Sequence, residues 1–288
     1  KVLHDTELVS IARLGSGAFD TISGEVVKAI LFSSRKNESP LGTEFFAIDA
    51  SEDLGSIGKA TSLKDTPPQY FQQASMVTNP DSRIVLDEVA EGVLFSIFAG
   101  SYVGLQNGDT DKYVQKFWEH PGIDSELWSK FQMPTTTIDH YNGRSSLVRW
   151  EKGVGDLSAS TQARIQGVEA WGKDGVVVRL TKPCPSALYS GDLYDQSSAA
   201  IIPQKEEHLD AIWCYCSSKD FRVELEKIDQ KRNVTNATFV KVPINIDKWI
   251  EVADSKYPNG LPKPYSNDPD QWVFHGHPCG SVNLCGMG

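Results

Sequence analysis

The segment Gly104-Leu105-Gln106-Asn107-Gly108-Asp109, continuing through Thr110-Asp111-Lys112-Tyr113 to Lys116, holds residue types suited to gripping an anion. Glycines let backbone approach a phosphate closely, and the first N–H groups of a helix attract negative charge. Asp109 has the type and place of an N-cap for a short helix over Thr110–Trp118. On such a helix Lys112 and Lys116, four apart, share a face. Gly104, Asn107, Gly108, Lys112 and Lys116 are therefore candidate phosphate or base contacts. Asp109 and Asp111 pull the other way, since carboxylates repel phosphate, and capping with loop structure also accounts for the segment.

A second group interleaves basic, amide and aromatic side chains: Tyr141, Asn142, Arg144, Arg149, Lys152, Arg164, Lys173 and Arg179. Arginine and asparagine can read guanine and adenine edges, and arginine and lysine bind phosphates. Each also fits a solvated surface where its stem packs and its charge faces water. As a set they mark where a nucleic-acid groove is expected.

Other patterns imitate chemistry without its context. Gly15-Ser16-Gly17-Ala18-Phe19 resembles a nucleotide or cofactor loop, but the strand before it ends in Ala12-Arg13-Leu14 without an acid, and a second strand follows. Asp65-Thr66-Pro67-Pro68-Gln69-Tyr70 misses, by one residue at each end, the Asn/Asp-Pro-Pro-Tyr motif that holds a flipped base. Asn79-Pro80 runs into Asp81-Ser82 and fails as well. Cys214-x-Cys216 and His275-x-His277-x-Cys279 lack the paired spacing of structural zinc sites, so helix packing and an ordered tail are the expected roles. No Gly-x-Ser-x-Gly nucleophile elbow is present, which argues against an independent hydrolase.

The elements that must position these residues read as strands at Leu8–Leu14, Gly24–Phe32 and Glu44–Asp49, with a polar linker from Ala50 to about Thr66. Asp87–Phe98 has helical spacing. Val168–Trp171, Gly175–Leu180 and Phe239–Ile244 read as strands, and Glu206–Cys216 and Lys219–Ile228 as helices. After Trp249 an irregular tail is expected from its Pro, Gly, Asp and Asn.

The totals bound the answer. With 288 residues and 40% hydrophobic content, the chain can bury a core without staples. No apolar run approaches the length of a membrane span and no signal peptide opens the chain, so no membrane partner and a cytoplasmic location are expected. An odd count of five irregularly spaced cysteines suits a reducing compartment. The chain starts on Lys1 with a strand pattern almost at once, as expected of a piece of a longer protein. The net charge of −10 opposes nucleic-acid binding, although a local basic groove can sit on an acidic body.

Three stretches together resemble one family. Ala12-Arg13-Leu14-Gly15-Ser16-Gly17-Ala18-Phe19, continuing to Gly24-Glu25-Val26-Val27, is similar to a methylase segment downstream of the catalytic motif. Gly104–Tyr113 with Phe117-Trp118-Glu119 is similar to a Gly-Leu-x-Thr-Gly-Asp-Asn-Asp-Arg signature. Lys256–Pro262 and Phe274–Ser281 resemble a late segment of the same proteins. The family is the large adenine-specific DNA methyltransferases of single-chain type II restriction-modification and BREX-type systems. Where its signature has Thr and Arg, this sequence has Asn107 and Lys112, a point charge without the guanidinium fork.

The resemblance implies an α+β chain with terminal strands of the methylase sheet at 1–60, a mixed α/β target-recognition domain at 70–250 and an irregular wrap at 251–288. It implies sequence-specific recognition of duplex DNA for a catalytic domain of the same parent chain, which would bind S-adenosylmethionine. This chain alone is expected to catalyse nothing and to hold no cofactor or metal. The alternative is a protein-interaction module with an acidic surface.

Overall fold

In a computed structural model the described residues are 2–19, 28–36, 42–53, 55–78, 84, 86, 93–120 and 123–263. They are of mixed α and β type. The chain divides into two compact units, 1–89 and 90–288.

The first unit contains α1 (Val2–Asp5), β1 (Thr6–Gly15), β2 (Ala29–Lys36), β3 (Glu44–Asp49), α2 (Gly55–Asp65), β4 (Gln69–Gln72) and α3 (Gln73–Thr78). Its sheet has the order β2-β1-β3-β4, with β1 parallel to β3 and antiparallel to β2. Leu3, Leu8, Ile11, Phe45, Ala47 and Met76 form the core. Buried Gln73 ties the N-terminal turn to β1: its Oε1 accepts from the Leu8 N–H, and its Nε2 donates to the Leu3 and Thr6 carbonyls. The Gly15-Ser16-Gly17 turn thus leaves a strand whose next partner is antiparallel.

Two expectations need correction in this unit. The second strand covers Ala29–Lys36; of the expected Gly24–Phe32, residues 24–27 lie outside the described residues. The expected linker contains α2, which has no apolar stripe to betray it. That helix is anchored instead by buried Lys59, whose Nζ donates to the carbonyls of Ala50, Ser51 and Asp53. A buried ammonium is tolerable because carbonyls replace its water.

The second unit runs β5 (Val93–Leu94), β6 (Ala99–Val103), α4 (Thr110–Tyr113), β7 (Val114–Lys116), β8 (Trp128–Gln132), β9 (Ser146–Arg149), α5 (Asp156–Ala159), β10 (Asp174–Arg179), β11 (Ser186–Ser190), β12 (Leu193–Tyr194), β13 (Ser198–Pro203), α6 (Leu209–Ser217), α7 (Lys219–Ile228), α8 (Asn236–Phe239), β14 (Pro243–Ile244) and α9 (Ile246–Lys256). One sheet has the order β11-β10-β13-β6. Both its faces are covered, which explains the unbroken Val176-Val177-Val178 run. Val176 and Val178 join the helix-side core with Ile212, Trp213 and Phe221, while Val177 packs with Ala187, Tyr189 and Ala200. The second sheet, β12-β8-β9-β7, builds its core from Leu105, Tyr113, Phe131, Val148 and Leu157.

Several elements differ from the sequence reading. Within Asp87–Phe98, β5 is followed by a 3-10 turn at Phe95–Ile97, because Val93 and Leu94 pair with β14 far along the chain; residues 87–92 lie outside the described ones. Val168–Trp171 is a turn in which the Ala170 N–H donates to the Gly167 carbonyl. Phe239 ends a helical turn, and only Pro243–Ile244 of its stretch is strand. A regular helix, N-capped by Asn245, continues to Lys256 where an irregular tail was expected. The segment after it is held to the body: Tyr257 Oη lies 3.1 Å from both His140 Nε2 and Trp213 Nε1, and Tyr141 Oη donates to the Pro262 carbonyl.

Cys184, Cys214 and Cys216 are buried free thiols, and Cys279, Cys285, His275 and His277 lie outside the described residues. No helix among the described residues is long and apolar enough to cross a membrane.

Candidate nucleic-acid interface

The glycine-rich segment is shaped from within. The Gly104 N–H donates to the Ser198 carbonyl at 3.1 Å, and its own carbonyl accepts from Gln166 Nε2 at 2.9 Å. A Cβ at Gly104 would sit 2.4 Å from the carbonyl oxygens of Tyr194 and Asp195, so packing demands glycine there. Gln106 and Arg164 exchange both backbone hydrogen bonds, at 3.1 and 2.9 Å. Gly108 has φ +74° and backs onto Gln162. Asn107 is buried, with its Oδ1 accepting from Thr110 Oγ1 at 3.3 Å. Two distant stretches, Gly104–Asp109 and Gln162–Gln166, therefore form one ridge.

Asp109 is the expected N-cap: its carboxylate accepts from the Lys112 N–H at 3.1 Å. The helix it starts is one turn long, because Val114 enters β7 and pairs with Val148. Lys112 and Lys116 consequently do not share a helix face, which corrects the sequence reading. Exposed Lys112 lies 4.7 Å above the Tyr113 ring. Its ammonium is held above the usual lysine range by Tyr113 first, with smaller contributions from Asp156 and Asp109. Arg164 is exposed, and its guanidinium has no hydrogen bond or ion pair among the described residues.

Lys116 stands on edge strand β7, donating to Ser145 Oγ at 2.9 Å and Ser146 Oγ at 3.2 Å. On neighbouring β9, Arg149 pairs with Glu151 at 2.9 Å, and in the 3-10 turn that follows Lys152 pairs with Glu126. Arg179 lies across from Ser198, the residue whose carbonyl holds Gly104, so strand register lines it up with the glycine segment. Its Nε is buried and has no hydrogen-bond partner among the described residues, as is true of the Ser198 hydroxyl. Lys173 sits just before the opposite end of β10, exposed, with its Nζ on the Glu169 carbonyl at 2.7 Å.

Tyr141, Asn142 and Arg144 are placed differently. Tyr141 and Arg144 are buried. Asn142 bonds its own loop, with Nδ2 on Thr137 Oγ1 at 3.2 Å and Oδ1 accepting from the Thr136 N–H at 3.3 Å. Arg144 donates to Ser190 Oγ at 2.8 Å, Asp192 Oδ2 at 3.1 Å and the Leu188 carbonyl at 3.0 Å. Burial pulls its guanidinium below the usual arginine range despite Asp192, while burial pushes the Asp192 carboxyl up despite Arg144.

The fold thus gathers Gly104, Asn107, Gly108, Lys112 and Arg164, with Arg179 in the same strand row. Lys116 and Arg149 occupy adjacent strands, and Lys173 stands apart. Sequence reasoning missed Gln162, which backs Gly108, and Ser145 and Ser146, which hold Lys116. Asp109 and Asp111 were visible, but Asp156 beside Lys112 was not. Only the pairing of β7 with β9 brings those serines to that lysine, and no local signal announces it.

No family model matches the chain, and no curated protein matches it. The chain is similar to the solved structure of the Type IIL restriction-modification enzyme MmeI in complex with DNA, with a TM-score of 0.46 and 14% identity over 88% of this chain and 39% of that one. It is also similar to a nuclease-deletion mutant of the Type ISP restriction-modification enzyme LlaGI in complex with a DNA substrate mimic, with a TM-score of 0.41 and 11% identity, covering 92% of this chain and 28% of that one.

Proposed function

We propose that this chain is a sequence-specific duplex-DNA recognition module of an adenine-specific methylase or restriction-modification protein. In this reading it positions DNA for a catalytic domain of the same parent chain, and S-adenosylmethionine binds there and not here. The supporting observation is the ridge on which Arg164 and Lys112, distant in sequence, are both exposed beside a glycine segment of fixed shape. Lys116, Arg149 and Arg179 extend the set, with Lys173 as an outlying phosphate contact. Asn107 braces the glycine segment through Thr110, while Tyr141, Asn142 and Arg144 are engaged elsewhere in the unit.

Phosphate contacts dominate the affinity of such proteins and make it salt-dependent. Binding of fluorescent duplexes across a salt series should therefore be steep. Lys112→Ala and Arg164→Ala should each weaken binding and flatten the slope of log affinity against log salt by about one unit per neutralised phosphate. Arg164 additionally loses discrimination between sequences if it reads a base edge. Unchanged slopes in both variants would remove the ridge from the interface.

One observation favours a second reading. Asp109 and Asp156 act on Lys112, and exposed Asp111 precedes it, on a chain of net charge −10, a surface suited to a basic protein partner. Absence of duplex binding by the intact chain at low salt would select that reading.

A further inference from the structure

The row of backbone hydrogen bonds that holds Gly104 continues past β10 to a loop on its far side. The Gln196 N–H donates to the Leu105 carbonyl at 3.0 Å, and the Leu180 N–H to the Ser197 carbonyl at 2.8 Å. Beyond Leu180, the Lys182 N–H donates to the Arg232 carbonyl at 2.9 Å and the Val234 N–H to the Leu180 carbonyl at 2.8 Å. Thr181 and Asn233 form an antiparallel bridge between them. Backbone pairing therefore links Arg164, through 105–106, 195–198 and 180–182, to Lys231-Arg232-Asn233. Paired backbones lie about 4.8 Å apart, so about four such spacings separate the two ends by roughly 19 Å.

Charge along this row departs from that of the whole chain. Its segments carry Arg164, Arg179, Lys182, Lys231 and Arg232, and Asp195 is their only acidic residue, although acids outnumber bases 38 to 28 overall. Asp195 is buried and accepts from the Ser197 N–H at 2.8 Å. Beside the loop, Glu226 pairs with Lys182, and buried Asp229 accepts from the Lys231 N–H at 3.0 Å. Lys231 and Arg232 are exposed, and their charged groups make no hydrogen bond or ion pair among the described residues. Exposed Asn233 accepts the Thr181 hydroxyl at 3.1 Å on Oδ1, which leaves its two N–H donors unspent among the described residues. Cations kept clear of carboxylates on an acidic chain suit a polyanion. We propose that Lys231, Arg232 and Asn233 form a second phosphate-contact point, holding the duplex backbone at the end of the row opposite Arg164. Phosphates of one strand recur every 3.4 Å or so of helix axis, so the two points meet different phosphates. The inference rests on the DNA-recognition reading and adds to the interface a loop which that reading leaves out.

The test uses the full chain and fluorescent duplexes across a salt series. Replacing both cations, Lys231→Ala with Arg232→Ala, should flatten the slope of log affinity against log salt by about two units, near 0.9 for each phosphate released. That loss should add to the loss from Lys112→Ala with Arg164→Ala, because sites so far apart act independently. Lys231→Arg with Arg232→Lys keeps both charges and should keep the slope. Lys205→Ala with Lys256→Ala removes the same charge from exposed positions outside the row and should also keep it. On the wild-type chain, single uncharged methylphosphonate linkages stepped along the duplex should weaken binding in two separate stretches. An unchanged slope in the first pair, equal flattening in the Lys205 and Lys256 control, or a single sensitive stretch overturns the second contact point and leaves Lys112 and Arg164 standing. Failure of the wild-type chain to bind duplex at low salt overturns both readings.

Discussion

Arg144 and Arg164 look alike in the sequence, each set among Ser, Gln or Asn, yet the fold gives them opposite tasks. Arg164 closes a backbone bridge to Gln106 and leaves its guanidinium in water. Arg144 spends its guanidinium on Ser190, Asp192 and the Leu188 carbonyl, with 3% of its side chain exposed. A guanidinium with its donors engaged indoors is costly to disturb and poorly placed to read a ligand. An exposed one is cheap to remove and ready to bind. Basic residues in one pattern therefore divide into buried, engaged side chains and exposed ones, and tertiary placement makes the division.

The largest expected effect sharpens the contrast from the buried side. Arg144→Ala leaves Asp192 without its partner in a largely desolvated place, and breaking such a pair costs about 3–5 kcal/mol. Urea unfolding should show the loss, whereas Arg164→Ala should change stability by less than about 0.5 kcal/mol. Equal stabilities would erase the distinction. Next comes Gly104→Ala, where the new methyl meets two carbonyl oxygens. Overpacking of this kind costs about 1–3 kcal/mol, and a thermal melt should move down accordingly. Smallest is Asp109→Ala, which removes an exposed N-cap and should cost on the order of 1 kcal/mol. Its DNA affinity should rise slightly as a repelling carboxylate disappears. A fall in affinity would mean that the cap, rather than the charge balance, governs Lys112.

Legibility followed how local each signal was. β1, β3 and β10 were readable because short β-branched runs bounded by turn residues leave little choice. α6 and α7 showed in their apolar spacing, and Asp109 in its cap chemistry. α2 was invisible because Lys59 holds it through carbonyls of the preceding loop instead of through an apolar face. The helix read into Thr110–Trp118 stopped early because β9 offered Val114 a partner that no local pattern contains. At the candidate site, the glycine segment and its cations were found by type. Gln162, Ser145 and Ser146 came only with tertiary pairing, and nothing in the types of Arg144 and Arg164 separated the buried side chain from the exposed one.

The Leu188 carbonyl has one more consequence. It accepts from Gln132 Nε2 as well as Arg144, and the Leu188 N–H donates to the His140 carbonyl. Leu188 belongs to β11, an edge strand of its sheet. An uncovered outer strand is a template on which another chain can extend the sheet, the usual first step of aggregation. Here the outward donor and acceptor of Leu188 are already taken by side chains and a loop. The same buried guanidinium therefore acts as a stopper, keeping β11 from recruiting a neighbour when the protein is concentrated.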